Sequence, residues 1–105
     1  METPESELAL NQPPEEQIEL AAVLDALGDP QRLAIVAELH RRGESVCSLL
    51  CPALPKSTRS HHLKVLRESG VTWTRLEGTE RHVRLRYDSL GRRFPGLLES
   101  VLGSL

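Results

Sequence analysis

Apolar residues recur every three or four positions over two stretches near the start of the chain, as they do along one face of an α-helix. The first stretch predicts a helix over residues 15–27 that ends at Gly28. Asp29 then supplies an N-cap and Pro30 the first residue of a second helix, which we expect to run to about Arg42 and to end before Gly43. The positions that define the buried sides of these helices are Ile18, Ala21, Ala22, Leu24, Leu27, Leu33, Ile35 or Val36, Ala37 and Leu39.

The spacing of apolar residues changes further along the chain. A short third helix is expected to start at Glu44 and Ser45 and to break at Pro52. Bulky and polar residues alternate over 71–76 and 81–87, which predicts two strands joined by a turn at 77–80. Helical spacing returns over 88–105, where Pro95-Gly96 predicts a kink or a short turn.

The stretch from Lys56 to Gly70 predicts a helix with two different faces. Leu63 and Leu66 lie at helical spacing with His62 beside them, and this side is expected to pack on the domain. The opposite side carries two hydroxyls, an imidazole and an ammonium group, from Ser57, Ser60, His61 and Lys64. A helix with such a small, polar face is suited to lie against base edges and phosphates.

Length and composition indicate one small domain with a modest core. The chain has 105 residues with one Phe, one Trp and one Tyr, so Leu, Val and Ala must supply most of the buried surface. Residues 1–14 lack periodic apolar spacing and are expected to be a flexible acidic tail, which leaves 15–105 as the domain. No apolar run approaches the roughly 20 residues that span a bilayer, and the acidic start is unlike a secretion signal. We therefore expect a cytoplasmic protein.

The formal net charge of −2 conceals a strong separation of charge along the chain. Residues 1–30 hold eight acidic residues and no Lys or Arg, whereas residues 55–93 hold ten basic and four acidic residues, a net charge of +6. A polyanion responds to this local charge, so the near-neutral total does not argue against DNA as a partner.

The predicted order of elements is helix, helix, short helix, recognition helix, two-stranded hairpin and helix. This is the order of a winged helix-turn-helix, a mainly α fold in which a β-hairpin forms the wing. In that fold the recognition helix enters the major groove while the wing reaches the flanking backbone. Base contacts are then expected from the N-terminal half of the helix, at Lys56, Ser57, Thr58, Ser60 and His61. Further DNA contacts are expected from Lys64 on the same helix and from Arg75, Arg81, His82 and Arg84 on the wing.

The joint pattern resembles the ArsR-type family of bacterial dimeric repressors over residues 24–87. LDALGDPQRLAIVAEL is similar to the family's second-helix entry, and STRSHHLKVLRESGV with RLEGTERHVRLR is similar to its DNA-reading unit. The resemblance implies a homodimeric repressor that reads a palindromic double-stranded DNA operator and is released by an effector. Arg59 departs from the apolar residue usual on the packing side, and either leans out to a phosphate or weakens that packing. The resemblance also implies a dimer interface between the first and last helices, at Leu20, Leu24, Leu97, Leu98, Val101 and Leu102.

Two cysteines are the candidates for sensing an effector. Many members of the resembled family bind metals or metalloids through thiols on the third helix, where this chain has Cys47 and, at the other familiar position, Ser45. Cys51 follows four residues later, so the predicted short helix would point both thiols the same way. Three interpretations stay open: a soft-metal or metalloid site with His40 as the nearest further ligand, a thiol redox switch, or two small buried residues. The family's other metal site needs a His on the last helix, and none follows His82.

Two other classes of function are less compatible with the sequence. Enzyme chemistry needs a positioned nucleophile and base, and the Cys47–His40 combination has no pocket-forming sequence around it, so we expect no enzyme. A winged helix can also serve as a protein-interaction module without specific DNA binding. The basic bias of residues 55–93 argues against that alternative, which predicts no DNA binding or a partner insensitive to salt.

Overall fold

Five helices and a small antiparallel sheet form the fold within residues 10–105, which are the residues that the computed structural model describes. The helices are α1 (Leu20–Leu27), α2 (Pro30–Arg42), α3 (Lys56–Ser69), α4 (Tyr87–Arg93) and α5 (Leu97–Gly103). The strands are β1 (Ser45–Val46), β2 (Thr72–Glu77) and β3 (Glu80–Leu85), in the order β1-β3-β2. The prediction of a winged helix-turn-helix, with β2 and β3 as the wing, is confirmed. Among the described residues, no helix is long and apolar enough to cross a membrane.

The ends of α2 and α3 confirm the capping signals in the sequence. The Asp29 carboxylate accepts hydrogen bonds from the backbone N–H groups of Gln31 at 2.8 Å and Arg32 at 3.1 Å. These two hydrogen bonds hold the pKa of the Asp29 carboxyl below its ordinary value, and the bond from the Arg32 N–H has the larger effect. Helix α2 ends at Gly43 and α3 at Gly70, with φ angles of +76° and +92° that favour glycine.

The predicted first helix is wrong in its first half. Residues 15–17 form a single 3-10 turn, Ile18 has an extended backbone, and the helix begins at Leu20. The extended backbone turns Ile18 into the core, where its side chain is fully buried and packs beside Gly70. One extra turn of helix contributes little stability without packing, so burial of Ile18 decides the local structure.

The predicted short third helix is also wrong. Ser45 and Val46 form β1, which pairs with Val83 and His82 of β3, and residues 47–49 form a 3-10 turn. The segment between α2 and Pro52 is too short for a helix to be stable by itself, and pairing with β3 satisfies its backbone groups instead. The sheet therefore has three strands where the sequence predicts two.

The core lies between the helices and one face of the hairpin. Side chains alternate between the two faces along β3, and Val83 and Leu85 point inward. The predicted interruption of the last helix at Pro95-Gly96 is confirmed, because it separates α4 from α5. The most deeply buried large apolar side chains are Ile18, Val23, Ile35, Val36, Leu39, Leu50, Leu66, Val71, Val83 and Leu90.

The expected flexible tail falls partly outside the described residues, which begin at Leu10. Part of the described remainder does not behave as the sequence predicts, because Gln12 packs against the outer edge of β2 and the carbonyls of Leu10 and Pro13 accept hydrogen bonds from Arg67 and Arg86. Gln12 is 4% exposed, and its side-chain amide donates to the Thr74 carbonyl at 3.0 Å and accepts from the Thr74 N–H. The Gln12 amide thus satisfies the open edge of the sheet as a neighbouring strand would.

Candidate nucleic-acid interface

Helix α3 has the two faces that its sequence predicts. His62, Leu63 and Leu66 are buried on the side that packs against the domain. Of the residues predicted to contact DNA from this helix, Lys56, Ser57, Ser60, His61 and Lys64 are exposed, and Thr58 and Arg59 are half-buried. A polar surface of the helix is therefore open to a partner over more than two turns.

His62 holds α3 against α2. Its Nε2 lies 2.7 Å from Gln31 Oε1, and its Nδ1 lies 3.3 Å from a guanidinium nitrogen of Arg32. Because the amide oxygen accepts and the guanidinium donates, the tautomer that fits carries its proton on Nε2. Arg32 also donates to the Asp25 carbonyl at 3.2 Å, which joins the end of α1 to the same network. The prediction that His62 is a structural residue is confirmed, while its exposed neighbour His61 stays a predicted DNA contact.

The hairpin divides the predicted wing contacts between its two faces. Arg81 lies on the inward face with Val83, whereas His82 and Arg84 lie on the outward face, because side chains alternate along a strand. Arg75 pairs with His82 across the two strands and so shares the outward face. Of the four predicted wing contacts, the structure therefore brings Arg81 together with α3 and leaves the other three on the far side.

Arg75 and His82 are paired with acidic side chains. Arg75 donates to Glu44 at 2.7 Å and to Glu77 at 3.0 Å, and His82 Nε2 lies 3.4 Å from the Glu77 carboxylate. The hydrogen bond with Glu44 is the main reason that the pKa of Arg75 is raised and that of Glu44 is lowered. The charge of Arg75 is compensated within the protein, which makes Arg75 a weaker candidate for a phosphate contact.

A basic cleft separates α3 from the inward face of the hairpin. It encloses about 360 Å³, and five cationic side chains and no acidic side chain line it. Four of the five cations come from α3 and the fifth is Arg81 of β3. The lining residues are Cys47, Ser48, Lys56, Arg59, Ser60, Leu63, Lys64, Arg67 and Arg81. Crowding of like charges in one concave surface attracts a polyanion.

The cleft explains why an arginine is found at position 59 and adds Arg67 to the candidate site. Arg59 forms part of the cleft wall, so it leans out from the packing between the helices of the motif. Arg67 is missing from the predicted contacts, although its helical spacing from Lys56, Ser60 and Lys64 places it on the same side of α3. Burial, and then repulsion from Arg81, lower the pKa of Arg67. An anion in the cleft would relieve that repulsion.

The thiols of Cys47 and Cys51 point in different directions, whereas the predicted short helix would have placed both on one side. Cys47 lines the basic cleft, whereas the Cys51 thiol donates to Glu38 at 3.2 Å. Burial raises the pKa of Cys47, and burial together with the bond to Glu38 raises the pKa of Cys51 to about 11. His40, the expected further ligand, bonds to the Tyr87 hydroxyl at 2.9 Å. Within residues 10–105, no group of three or more His, Cys, Asp or Glu side chains is arranged to hold a metal ion.

Replacing Glu38 with glutamine is expected to make Cys51 more reactive. The neutral amide removes the charge that opposes ionisation, so the pKa of Cys51 falls from about 11 toward its ordinary value and more thiolate forms at pH 9. Because the raised pKa belongs to the folded state, the stability gained from this bond is present below the ordinary thiol pKa and is lost as pH rises toward about 11. The measurement is the alkylation rate of Cys51 between pH 7 and 10 in a Cys47→Ser background. Glu44→Gln is the matched control, and an identical rate profile for both variants would contradict the role of Glu38.

An exposed polar helix beside a wing with a cationic inner edge is the arrangement typical of winged helix-turn-helix DNA-binding proteins. No protein-family model matches the chain. YceK of Bacillus subtilis (strain 168), an uncharacterised HTH-type transcriptional regulator, is 35% identical over 89 residues, which cover 77% of this chain and 84% of YceK.

Several solved structures share the fold. An ArsR family transcriptional regulator is 25% identical, with 85% of this chain and 91% of that chain covered and a TM-score of 0.63. The homodimeric winged helix-turn-helix DNA-binding domain of a possible ArsR-family regulator from Mycobacterium bovis is 28% identical, with coverages of 81% and 79% and a TM-score of 0.62. The transcriptional repressor BigR from Xylella fastidiosa is 29% identical, with coverages of 71% and 85% and a TM-score of 0.56. The chain belongs to the ArsR family of winged helix-turn-helix transcriptional regulators, which confirms the resemblance seen in the sequence.

Proposed function

We propose that the protein is a homodimeric repressor that binds a palindromic DNA operator in the cytoplasm through α3 and the inward face of the wing. The observation that carries this proposal is the continuity of two surfaces, because the exposed polar face of α3 borders the basic cleft that ends at Arg81. One surface suits base edges and the other suits backbone phosphates. Lys56, Ser60 and Lys64 belong to both surfaces.

The N-terminal half of α3 is the part proposed to read bases. Helices of this motif enter the major groove with their N-terminal residues at the base edges. An ammonium group suits the acceptor atoms of guanine, and hydroxyl and imidazole groups suit either donors or acceptors. The proposed base contacts are Lys56, Ser57, Thr58, Ser60 and His61. The proposed phosphate contacts are Arg59, Lys64, Arg67 and Arg81, with Arg75, His82 and Arg84 as secondary contacts on the outward face of the wing.

The homodimer is supported by apolar surface that α1 leaves exposed. Leu20 and Leu24 lie one turn apart, and 46% and 49% of their surface is exposed. Apolar side chains at this spacing suit contact with another helix, and a dimer would cover them. The half-buried apolar residues of α5 that we place in the same interface are Leu97, Val101 and Leu102. Leu98, also predicted for the interface, is 4% exposed and belongs to the core of the protomer.

The proposal also includes two-fold symmetry of the dimer and repression as the direction of regulation. A two-fold dimer presents two α3 helices, so its operator repeats the half-site as a palindrome. The homodimeric M. bovis domain and the repressor BigR, both similar to this chain, support the assembly and the direction of regulation. Of the two thiols, Cys47 is the one that lines the cleft, so any release of DNA by a soft metal, a metalloid or an oxidant is proposed to act through Cys47.

The division between base reading and phosphate binding is tested by alanine substitutions on an operator selected from a random DNA library. We expect Ser60→Ala or His61→Ala to lower discrimination between operator and random duplex by about 1–3 kcal/mol, because base contacts are lost. Arg81→Ala is expected to weaken binding to both DNAs alike, because phosphates are the same in every sequence. The measurement is a binding titration of both duplexes at several salt concentrations.

Arg84→Ala is the matched control for Arg81→Ala, because it removes the same charge from the outward face of the same strand. We expect it to have the smaller effect on binding. Equal losses on operator and random DNA for the α3 variants would refute the proposed division. Wild-type protein that binds no DNA, or binds it without salt dependence, would favour a protein-interaction module instead.

A further inference from the structure

A buried arginine without a carboxylate partner lies at the base of the wing. Arg86 follows β3, and only 6% of its surface is exposed. Within residues 10–105, its guanidinium forms one hydrogen bond, to the Pro13 carbonyl at 2.7 Å, and no ion pair. Removing a charge from water is costly, so buried charges in proteins are normally paired. Arg86 is therefore a buried positive charge that no acidic side chain of the described residues neutralises directly.

A pocket of about 240 Å³ reaches this arginine from the outward face of the hairpin. Trp73 and Arg84 lie directly opposite each other on β2 and β3, and both line the pocket. The Arg86 guanidinium lies over the Trp73 ring, 4.9 Å from the ring centroid, so the indole holds the buried charge at the pocket wall. The lining residues are Trp73, Arg84, Arg86, Asp88, Ser89 and Arg92.

The acidic groups near the pocket act mainly on Arg92. The Glu15 carboxylate accepts hydrogen bonds from Arg92 at 2.7 to 3.0 Å and from the Ser89 hydroxyl at 3.0 Å. The hydrogen bond with Glu15 and, to a smaller extent, the charge of Asp88 raise the pKa of Arg92. The exposed Arg84 forms no ion pair with any residue of 10–105. Of the three guanidiniums that line the pocket, only that of Arg92 is therefore compensated by a carboxylate.

Arg84 and Arg86 repel each other at the pocket. Burial, and then the charge of Arg84, lower the pKa of Arg86. A guanidinium is a planar fork of N–H donors that binds carboxylate and phosphate oxygens through paired hydrogen bonds. An oxyanion between the two side chains would accept such bonds and relieve the repulsion. The pocket is smaller than the roughly 300–1,000 Å³ of sites for drug-sized ligands, so it suits a small molecule.

We propose that this pocket binds a small molecule through a phosphate or carboxylate group that lies between Arg84 and Arg86. The pocket is on the outward face of the hairpin, whereas the basic cleft lies between the inward face and α3, and the two share no lining residue. Binding of the small molecule is therefore separate from the proposed binding of DNA, and each can be tested without the other.

The test uses the fluorescence of Trp73, which is the only tryptophan in the chain and lines the pocket. Inorganic phosphate and acetate are titrated separately into the full chain, against chloride at the same ionic strength. We expect a saturable change with at least one of the two oxyanions. Arg84→Gln is expected to weaken that binding by about 10-fold, because it removes a charge-assisted hydrogen bond. Arg81→Gln is the matched control, since it removes the same charge from the inward face of the same strand, and it should leave the affinity unchanged.

Three results would overturn the proposed oxyanion site. They are no saturable change in the wild type, the same affinity in Arg84→Gln as in the wild type, and equal losses in the Arg84→Gln and Arg81→Gln variants, with circular dichroism to establish that both variants are folded. Random duplex DNA is a further arm of the experiment. If DNA produces the same Arg84-dependent change and prevents any further change by phosphate or acetate, the pocket belongs to the DNA surface and the separate site is refuted. If the oxyanion binds as expected but no DNA binds, the pocket stands and the proposed function fails.

Discussion

Replacing Gly70 with alanine is expected to destabilise the protein by about 2–5 kcal/mol, a large part of the stability of a small domain. Two costs add at this position. The left-handed backbone, with φ of +92°, costs a residue with a Cβ atom about 1–2 kcal/mol. The new Cβ would also lie 2.7 Å from Ile18 Cγ1, inside the van der Waals distance of a side chain that the core holds on all sides. The measurement is urea or thermal unfolding followed by circular dichroism.

Gly78→Ala separates the two costs. Gly78 also has a positive φ, of +62°, but nothing lies within 4 Å of the added Cβ. Gly78→Ala should therefore lower the free energy of unfolding only by the cost of the left-handed backbone, about 1–2 kcal/mol. In a Gly70→Ala protein, Ile18→Val is expected to cost less than it does alone, because it removes Cδ1, one of the three Ile18 atoms that crowd the added Cβ. Equal destabilisation by the two glycine variants would contradict a close contact between Ile18 and position 70.

Replacing Leu24 with glutamate is expected to convert the proposed dimer into monomers and to weaken operator binding by about 100-fold or more, because the second half-site no longer binds with the first. Leu24 is 49% exposed and lies one turn from the exposed Leu20 on α1. A carboxylate at this position is hydrated in the monomer, but burying it in an apolar interface would be costly. Sedimentation equilibrium gives the mass, and titration of the selected operator gives the affinity.

Leu49→Glu is the matched control, because Leu49 is 54% exposed but lies in the 3-10 turn before α3, away from α1 and α5. It should leave the mass of the protein unchanged. Circular dichroism on both variants establishes that the fold is retained. If the Leu24→Glu variant is still a dimer, the interface does not include Leu24. If the wild type is a monomer, the proposed homodimer is refuted.

The success of the sequence interpretation at α2 and α3 has a local cause. Asp29 and Pro30 mark the start of α2, and Gly43 and Gly70 mark helix ends, because caps depend only on neighbours in the chain. The buried and exposed sides of α3 were equally predictable, since helical spacing alone determines which side chains share a face. Alternation of bulky and polar residues in the wing indicated a hairpin for the same reason.

The errors occurred where contacts distant in sequence determine the structure. Ile18 leaves the helical pattern because it packs beside Gly70, and Ser45–Val46 form a strand because β3 offers an edge to pair with. Burial and pairing at such distances outweigh the propensity of a few residues, and no local pattern records them. The same applies to residues 10–14, where Gln12 finds its partner Thr74 more than sixty positions away.

The candidate site shows the same division between sequence and tertiary structure. The residue types and spacing in α3 determined that one face of the recognition helix suits DNA, and the joint motif determined the family. Only the packing of the hairpin against α3 decided that Arg81 shares a cleft with Arg59 and Arg67, while Arg75 lies on the other face with Glu44. The spacing of a helix or strand determines which side chains share its face, but the neighbour that each face meets depends on how the whole chain buries its apolar surface.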